Sequence, residues 1–304
     1  MWQQQLQAIQ QGDIKTLARC ISLVENQSPG HEALLQLLPP SSTPVIGLTG
    51  PPGAGKSTLT DDLLGLLVAQ QKKVAVLCVD PSSPFNLGAL LGDRIRMSEW
   101  YDNPMVFIRS LASRGALGGL HPRIIEISDL VKCGGFDYII IETVGVGQSE
   151  IEIAGLADIT VVVVVPEAGD EVQTMKAGLM EIADIFAVNK SDRPGADNFV
   201  KHLRQMLAPA FSHTSRTIPV VKTIASQKEG ISELLEAINT TVAAKNGNDR
   251  HSWLLAERAY HLISQYRMKD IDKKRLKEEI EKAGAAFNLY RFIDTYRNYP
   301  GTTG

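Results

Sequence analysis

Residues 50–57 read Gly-Pro-Pro-Gly-Ala-Gly-Lys-Ser, the pattern GxxxxGK[ST]. The run Val45-Ile46-Gly47-Leu48-Thr49 before it has the composition of a short buried strand. The stretch from Ser57 to Gln71 carries Leu59, Leu63, Leu66 and Leu67 at helical spacing. Strand, glycine loop, helix is the context that separates a phosphate-binding loop from a chance match. Glycines allow backbone N–H groups to converge on an anion, and the helix N-terminus adds partial positive charge. The loop Gly50, Pro51, Pro52, Gly53, Ala54, Gly55, with Lys56, Ser57 and Thr58, is therefore the expected phosphate cradle. Lys56 would reach the β- and γ-phosphates, and the Ser57 hydroxyl would ligate Mg²⁺.

A second motif selects the base. Ile185 to Val188 reads as a buried strand and runs into Asn189-Lys190-Ser191-Asp192, an NKxD sequence. At the C-terminal end of a parallel strand, NKxD reads guanine. The Asp192 carboxylate accepts from guanine N1–H and the N2 amino group, donors that adenine does not present. A polar site of this kind discriminates by about 10⁴-fold or more. Asn189 would brace the loop, and Lys190 would lie along the base. GTP or GDP is the expected ligand.

The remainder of the pattern suits an α/β protein. Candidate strands are 45–49, 74–79, 105–109, 137–142, 159–165, 184–189 and 218–222. All are continuous Val/Ile-rich runs, as in strands buried on both faces, with helical segments between them. A P-loop NTPase with a mostly parallel, doubly covered sheet follows, and its ligands belong at the C-terminal strand ends. Three parts are expected: a helical N-terminal extension over 1–43, the nucleotide-binding domain over 44–245, and a C-terminal helical arm over 246–304. In the extension, Gly12-Asp13 offers a helix start, and a short helix from His31 to Leu38 stops at Pro39-Pro40. The arm has 12 Lys and Arg against 8 Asp and Glu between 245 and 297, in a chain of net charge −3. Its apolar stripes need a partner surface, either the same chain's nucleotide-binding domain or, as favoured, a second copy.

Composition excludes some classes. A net charge of −3 argues against bulk-charge binding of nucleic acid. The longest apolar run, Ile159 to Pro166, is strand-sized, and the N-terminus lacks the form of a signal peptide. Cys20, Cys78 and Cys133 are scattered, with no CxxC and no paired His, so buried thiols of a cytoplasmic protein are expected.

Other carboxylates bear on metal and water. The strand ending at Glu142 continues Thr143-Val144-Gly145-Val146-Gly147-Gln148, giving ExxG where DxxG is usual. Glu142 would hold a Mg²⁺-bound water, since its extra methylene favours contact through water over direct ligation. The Gly145 N–H would touch the γ-phosphate. Asp80 follows a strand and Asp93 lies in Gly92-Asp93-Arg94-Ile95-Arg96-Met97. Either would orient the attacking water or enter the metal shell, and the sequence does not choose between them. No arginine is obviously poised to assist hydrolysis; Arg94, Arg96, Arg109 and Arg114 are candidates, with a surface or phosphate-steering role favoured for each.

In order, GPPGAGKST (50–58), VDPSSP (79–84), GDRIRM (92–97), ETVGVGQSE (142–150) and NKSD (189–192) closely resemble the MeaB/ArgK/MMAA family of GTPases, over nearly the whole chain. The resemblance implies a SIMIBI-class GTPase that uses Mg²⁺ and dimerises through its C-terminal arm. It also implies a partner, an adenosylcobalamin-dependent acyl-CoA mutase, usually methylmalonyl-CoA mutase. Such proteins resemble chaperones that gate cofactor loading and protect the mutase. By the same resemblance, Pro166 to Gln173 matches a segment that couples nucleotide state to the mutase. The chain departs from the family at the loop flanking guanine, where Ile224-Ala225 stands in place of Ser-Ala, ahead of Gly230-Ile231. Ala225 and Ser226 remain the base-loop residues, with the Ala225 N–H expected on guanine O6. Two other readings are weighed. A metallochaperone GTPase of the same fold class needs Cys/His clusters that are missing from the sequence. A transport-linked kinase or ATPase needs an ATP preference that Asp192 opposes.

Overall fold

The computed structural model describes residues 2–80, 97–113, 120–143, 145, 152–166, 177–210, 217–245, 250–268, 270–284 and 287–297. Asp93, Arg94, Arg96, Arg114, Val144, Val146–Glu150 and Glu167–Gln173 lie outside the described residues.

Seven strands form one sheet: β1 (Val45–Thr49), β2 (Val74–Asp80), β3 (Val106–Ala112), β4 (Tyr138–Glu142), β5 (Ile159–Val164), β6 (Ile185–Val188) and β7 (Val220–Lys222). Their order is β3-β2-β4-β1-β5-β6-β7, and every pairing is parallel. Each expected strand is present, with ends displaced by at most three residues. The apolar runs are continuous because both faces are covered. In β5, Val161 and Val163 enter one apolar layer, while Val162 and Val164 enter the other. The first layer includes residues of α4 (Lys56–Ala69) and of α8 (Ile231–Lys245); the second is closed by α7 (Ala196–Ala210).

Three helices precede the sheet: α1 (Trp2–Gln10), α2 (Ile14–Glu25) and α3 (His31–Leu35). Asp13 caps α2 as expected, accepting from Thr16 N at 3.1 Å and Thr16 Oγ1 at 2.6 Å. The third helix stops at Leu35, three residues short of the expected end. Helix α2 packs on α5 (Ile124–Lys132). Glu25 accepts from Arg109 of β3 at 2.8 Å, and the same guanidinium donates to Ser22 Oγ at 3.1 Å. Arg109 thus ties the N-terminal helices to the sheet. It sits mid-strand opposite Leu77, not at a strand end where an arginine assisting hydrolysis belongs.

The chain divides into two compact units, Met1–His251 and Ser252–Gly304. Between β5 and β6 lies α6 (Ala177–Ile182). The second unit holds most of α9 (Arg250–Arg267), with α10 (Lys273–Ala283) and α11 (Leu289–Arg297). Inside that unit Tyr296 donates its hydroxyl to Glu279 at 2.6 Å, joining α11 to α10. Trp253, Tyr260, Tyr266 and Tyr290 are each at least 68% exposed.

Candidate functional site

The site lies where β1, β4 and β6 end. After β1 the chain turns through Gly50, Gly53 and Gly55, with φ of 139°, 77° and 94°. These angles suit glycine, and two of the three positions also lack room for a Cβ. At Gly50 a Cβ would overlap the Val163 carbonyl, and at Gly55 it would overlap the Asn189 carboxamide. Helix α4 begins directly after Gly55, so its free N–H groups and dipole face the loop. Lys56 is buried, and its Nζ donates to Gly50 O at 2.9 Å and Pro51 O at 3.1 Å. The ammonium is therefore inside the loop it was expected to serve.

Gly145 closes on the same place. Its φ is 80°, and a Cβ there would overlap both the Gly50 carbonyl and the Lys56 ammonium. The residue after Glu142 is held by Thr143 N on Leu48 O at 3.0 Å and by a 3.0 Å hydroxyl pair between Thr49 and Thr143. Thr143 and Gly145 thus lie against β1 and the phosphate loop.

Glu142 is buried at the tip of β4, with both carboxylate oxygens held by hydroxyls of α4. Ser57 Oγ donates to Oε1 at 2.5 Å, and Thr60 Oγ1 lies 3.0 Å from Oε2. Asp80 ends β2 at the same sheet edge and is buried, with its carbonyl accepting from Ser113 N at 2.9 Å. Ser57, Glu142 and Asp80 offer only hard oxygen donors, a chemistry that suits Mg²⁺. Among the described residues, no group of three His, Cys, Asp or Glu side chains is close enough to form a metal site by itself.

The base motif is joined to the phosphate loop by one side chain. Asn189 Nδ2 donates to Ala54 O at 2.9 Å. Its Oδ1 accepts from Thr223 Oγ1 at 3.2 Å and from Ala225 N at 3.1 Å. Asn189, expected to brace the loop, thus bonds residues of both loops. The Ala225 N–H, expected on guanine O6, donates here to Asn189 Oδ1 at 3.1 Å. Lys190 adopts a φ of 56°, turning the chain so that Ser191 N meets Thr223 O at 3.1 Å. Asp192 stands exposed at the end of this turn, and Ser226 lies in the short 3₁₀ turn Ala225–Gln227.

Two residues of α4 escaped the sequence reading. Thr60 has just been described; its signal was position, three residues after Ser57 and on the same helix face. Asp62 is the other. Its Oδ2 is buried without a hydrogen bond. Burial, with help from neighbouring Asp61 and against the pull of Lys228, pushes its carboxyl up to about 6.

The sequence profile of the "Methylmalonyl Co-A mutase-associated GTPase MeaB" family matches residues 17–280. The chain belongs to the MeaB family of GTPases. GTPase ArgK of Escherichia coli is 39% identical to this MeaB-family chain, over 77% of it and 73% of that protein. The fused isobutyryl-CoA mutase of Geobacillus kaustophilus is 31% identical over 95% of this chain, which spans 29% of that larger protein. A crystal structure described as a LAO/AO transport system kinase superposes with a TM-score of 0.64 at 29% identity, covering 97% of this chain and 95% of that one. As a family member the chain is a guanine-nucleotide-binding enzyme, and among the described residues no helix is long and apolar enough to cross a membrane.

Proposed function

We propose that this protein is a Mg²⁺-dependent GTPase that acts as a chaperone for an adenosylcobalamin-dependent acyl-CoA mutase, most simply methylmalonyl-CoA mutase. It would gate cofactor loading and protect the mutase in the cytoplasm. The observation that carries the nucleotide reading is the Asn189 side chain, which bonds the Ala54 carbonyl of one loop and the Ala225 amide of the other. Two loops tied this closely lie within the span of a single nucleotide. Membership of a family described as mutase-associated, and a relative in which a similar sequence is part of a mutase, support the partner.

In this reading the backbone of residues 50–55 and the Lys56 ammonium hold the phosphates, with Thr58 at the start of the helix beside them. The Lys56 contacts to Gly50 O and Pro51 O keep the ammonium at the loop, so little reorganisation is needed to meet an anion. Ser57, Glu142 and Asp80 would hold Mg²⁺, which when bound supplies charge neutralisation to the phosphates. Gly145 brings its amide to the γ-phosphate end. Asp192 reads guanine, with Lys190, Ala225 and Ser226 around the base. Asp93 stays a candidate for the metal shell or the attacking water on sequence alone. The exposed aromatics of the arm support self-association through a second copy.

Hydrolysis by the purified protein should be slow and should rise when the mutase is added. Fast turnover that ignores the mutase would remove the chaperone reading. The relative described as a transport system kinase motivates a second measurement, calorimetry with GDP and ADP. GDP should bind and ADP should not, and Asp192→Asn should exchange guanine for xanthine nucleotides. Equal affinity for GDP and ADP would reverse the base assignment.

A further inference from the structure

Helix α4 turns Ser57 and Thr60 toward Glu142, one hydroxyl to each carboxylate oxygen. Thr60 is fully buried and Glu142 is 4% exposed, so neither group relies on water for its hydrogen bonds. A glutamate here differs from the usual aspartate by one more rotatable bond, and its terminal carboxylate torsion is soft. Left to itself, the carboxylate of Glu142 would turn among several orientations. A Thr60 proton given to Oε2 would remove that freedom, because its Oγ1 lies 3.0 Å from Oε2 while Ser57 occupies Oε1. A serine hydroxyl that donates its proton to a carboxylate keeps its lone pairs for a cation. The direction of those lone pairs is then set by where Glu142 points.

We propose that Thr60 is a positioning residue for the metal centre: it locks Glu142, and Glu142 in turn aims the Ser57 hydroxyl. The inference rests on the reading of this site as a Mg²⁺–guanine nucleotide site. The competing role for Thr60 is local, because its hydroxyl also lies 2.9 Å from the Lys56 carbonyl, the ordinary back-bond of a helical threonine. Local back-bonding alone predicts no effect on metal affinity.

The deciding experiment is calorimetric titration of Mg²⁺ into the complex of the full chain with GDP, beside GDP affinity measured in chelator. Thr60→Val keeps the shape and removes the hydroxyl. It should weaken Mg²⁺ roughly 10-fold or more, the usual range for a group that orients a metal ligand. GDP affinity in chelator should stay unchanged, and Thr60→Ser should restore Mg²⁺ binding to within about twofold of the parent. Should Thr60→Val fail to fold, Thr60→Ala in the same titration carries the test. Parent-like Mg²⁺ affinity in the folded hydroxyl-free variant overturns the proposal while leaving the site reading intact. A parent protein whose GDP complex takes up no Mg²⁺ overturns both.

Discussion

Individual residues act through what surrounds them. Asp62 shows the effect of burial on a carboxylate. Its ordinary value of 3.8 is pushed up to about 6 in the folded chain, chiefly by burial. Below about pH 4 both folded and unfolded chains carry the proton; between that point and about pH 6 the folded chain holds it more tightly, so stability falls as pH rises through this window. Replacing Asp62 with Asn removes a buried charge at neutral pH. Melting curves should show a gain on the order of 1–3 kcal/mol at about pH 7.5, which shrinks as pH approaches about 4. A gain of equal size at both pH values would assign the effect to something other than ionisation. Sequence reasoning found the residues that have a motif, among them Lys56, Ser57, Glu142 and Asn189. It missed Thr60 and Asp62, since a hydroxyl or carboxylate on a helix looks the same whether it faces water or a strand end. Only contact with Glu142, 82 positions away, gives Thr60 its meaning.

At the level of elements, the seven strands were legible because a strand covered on both faces has to be apolar at successive positions, as β5 is from Ile159 to Val164. Ends were less legible, since Val/Ile content falls gradually while pairing stops abruptly; β7 has three paired residues where five were expected. The function of Arg109 was not legible either. Its partner Glu25 comes from α2, 84 positions earlier, and no local pattern links them. Glu25 and Arg109 are largely buried, at 14% and 23% side-chain exposure. Glu25→Gln should therefore destabilise the chain by roughly 1–3 kcal/mol in urea titrations, because a guanidinium loses its charged partner in a poorly solvated setting. An unchanged midpoint would mean that apolar packing of α2 on α5 holds the extension alone.

For the molecule as a whole, the division at residue 251 has a direct use. All described parts of the nucleotide site belong to Met1–His251. A chain ending there should bind GDP like the full protein, and if the arm mediates self-association it should sediment as a monomer. Loss of GDP binding on truncation would show that the arm contributes to the fold of the first unit. The anchoring of Asn189 has a further consequence for the release of product. If residues 50–57 and Asp192 hold the two ends of one nucleotide, both grips lean on the Asn189 carboxamide. A factor that pries residues 223–225 outward would strip Oδ1 of its Thr223 and Ala225 donors and leave the Nδ2 bond to the Ala54 carbonyl less braced. Approach from the purine side alone would then be expected to reach the diphosphate as well.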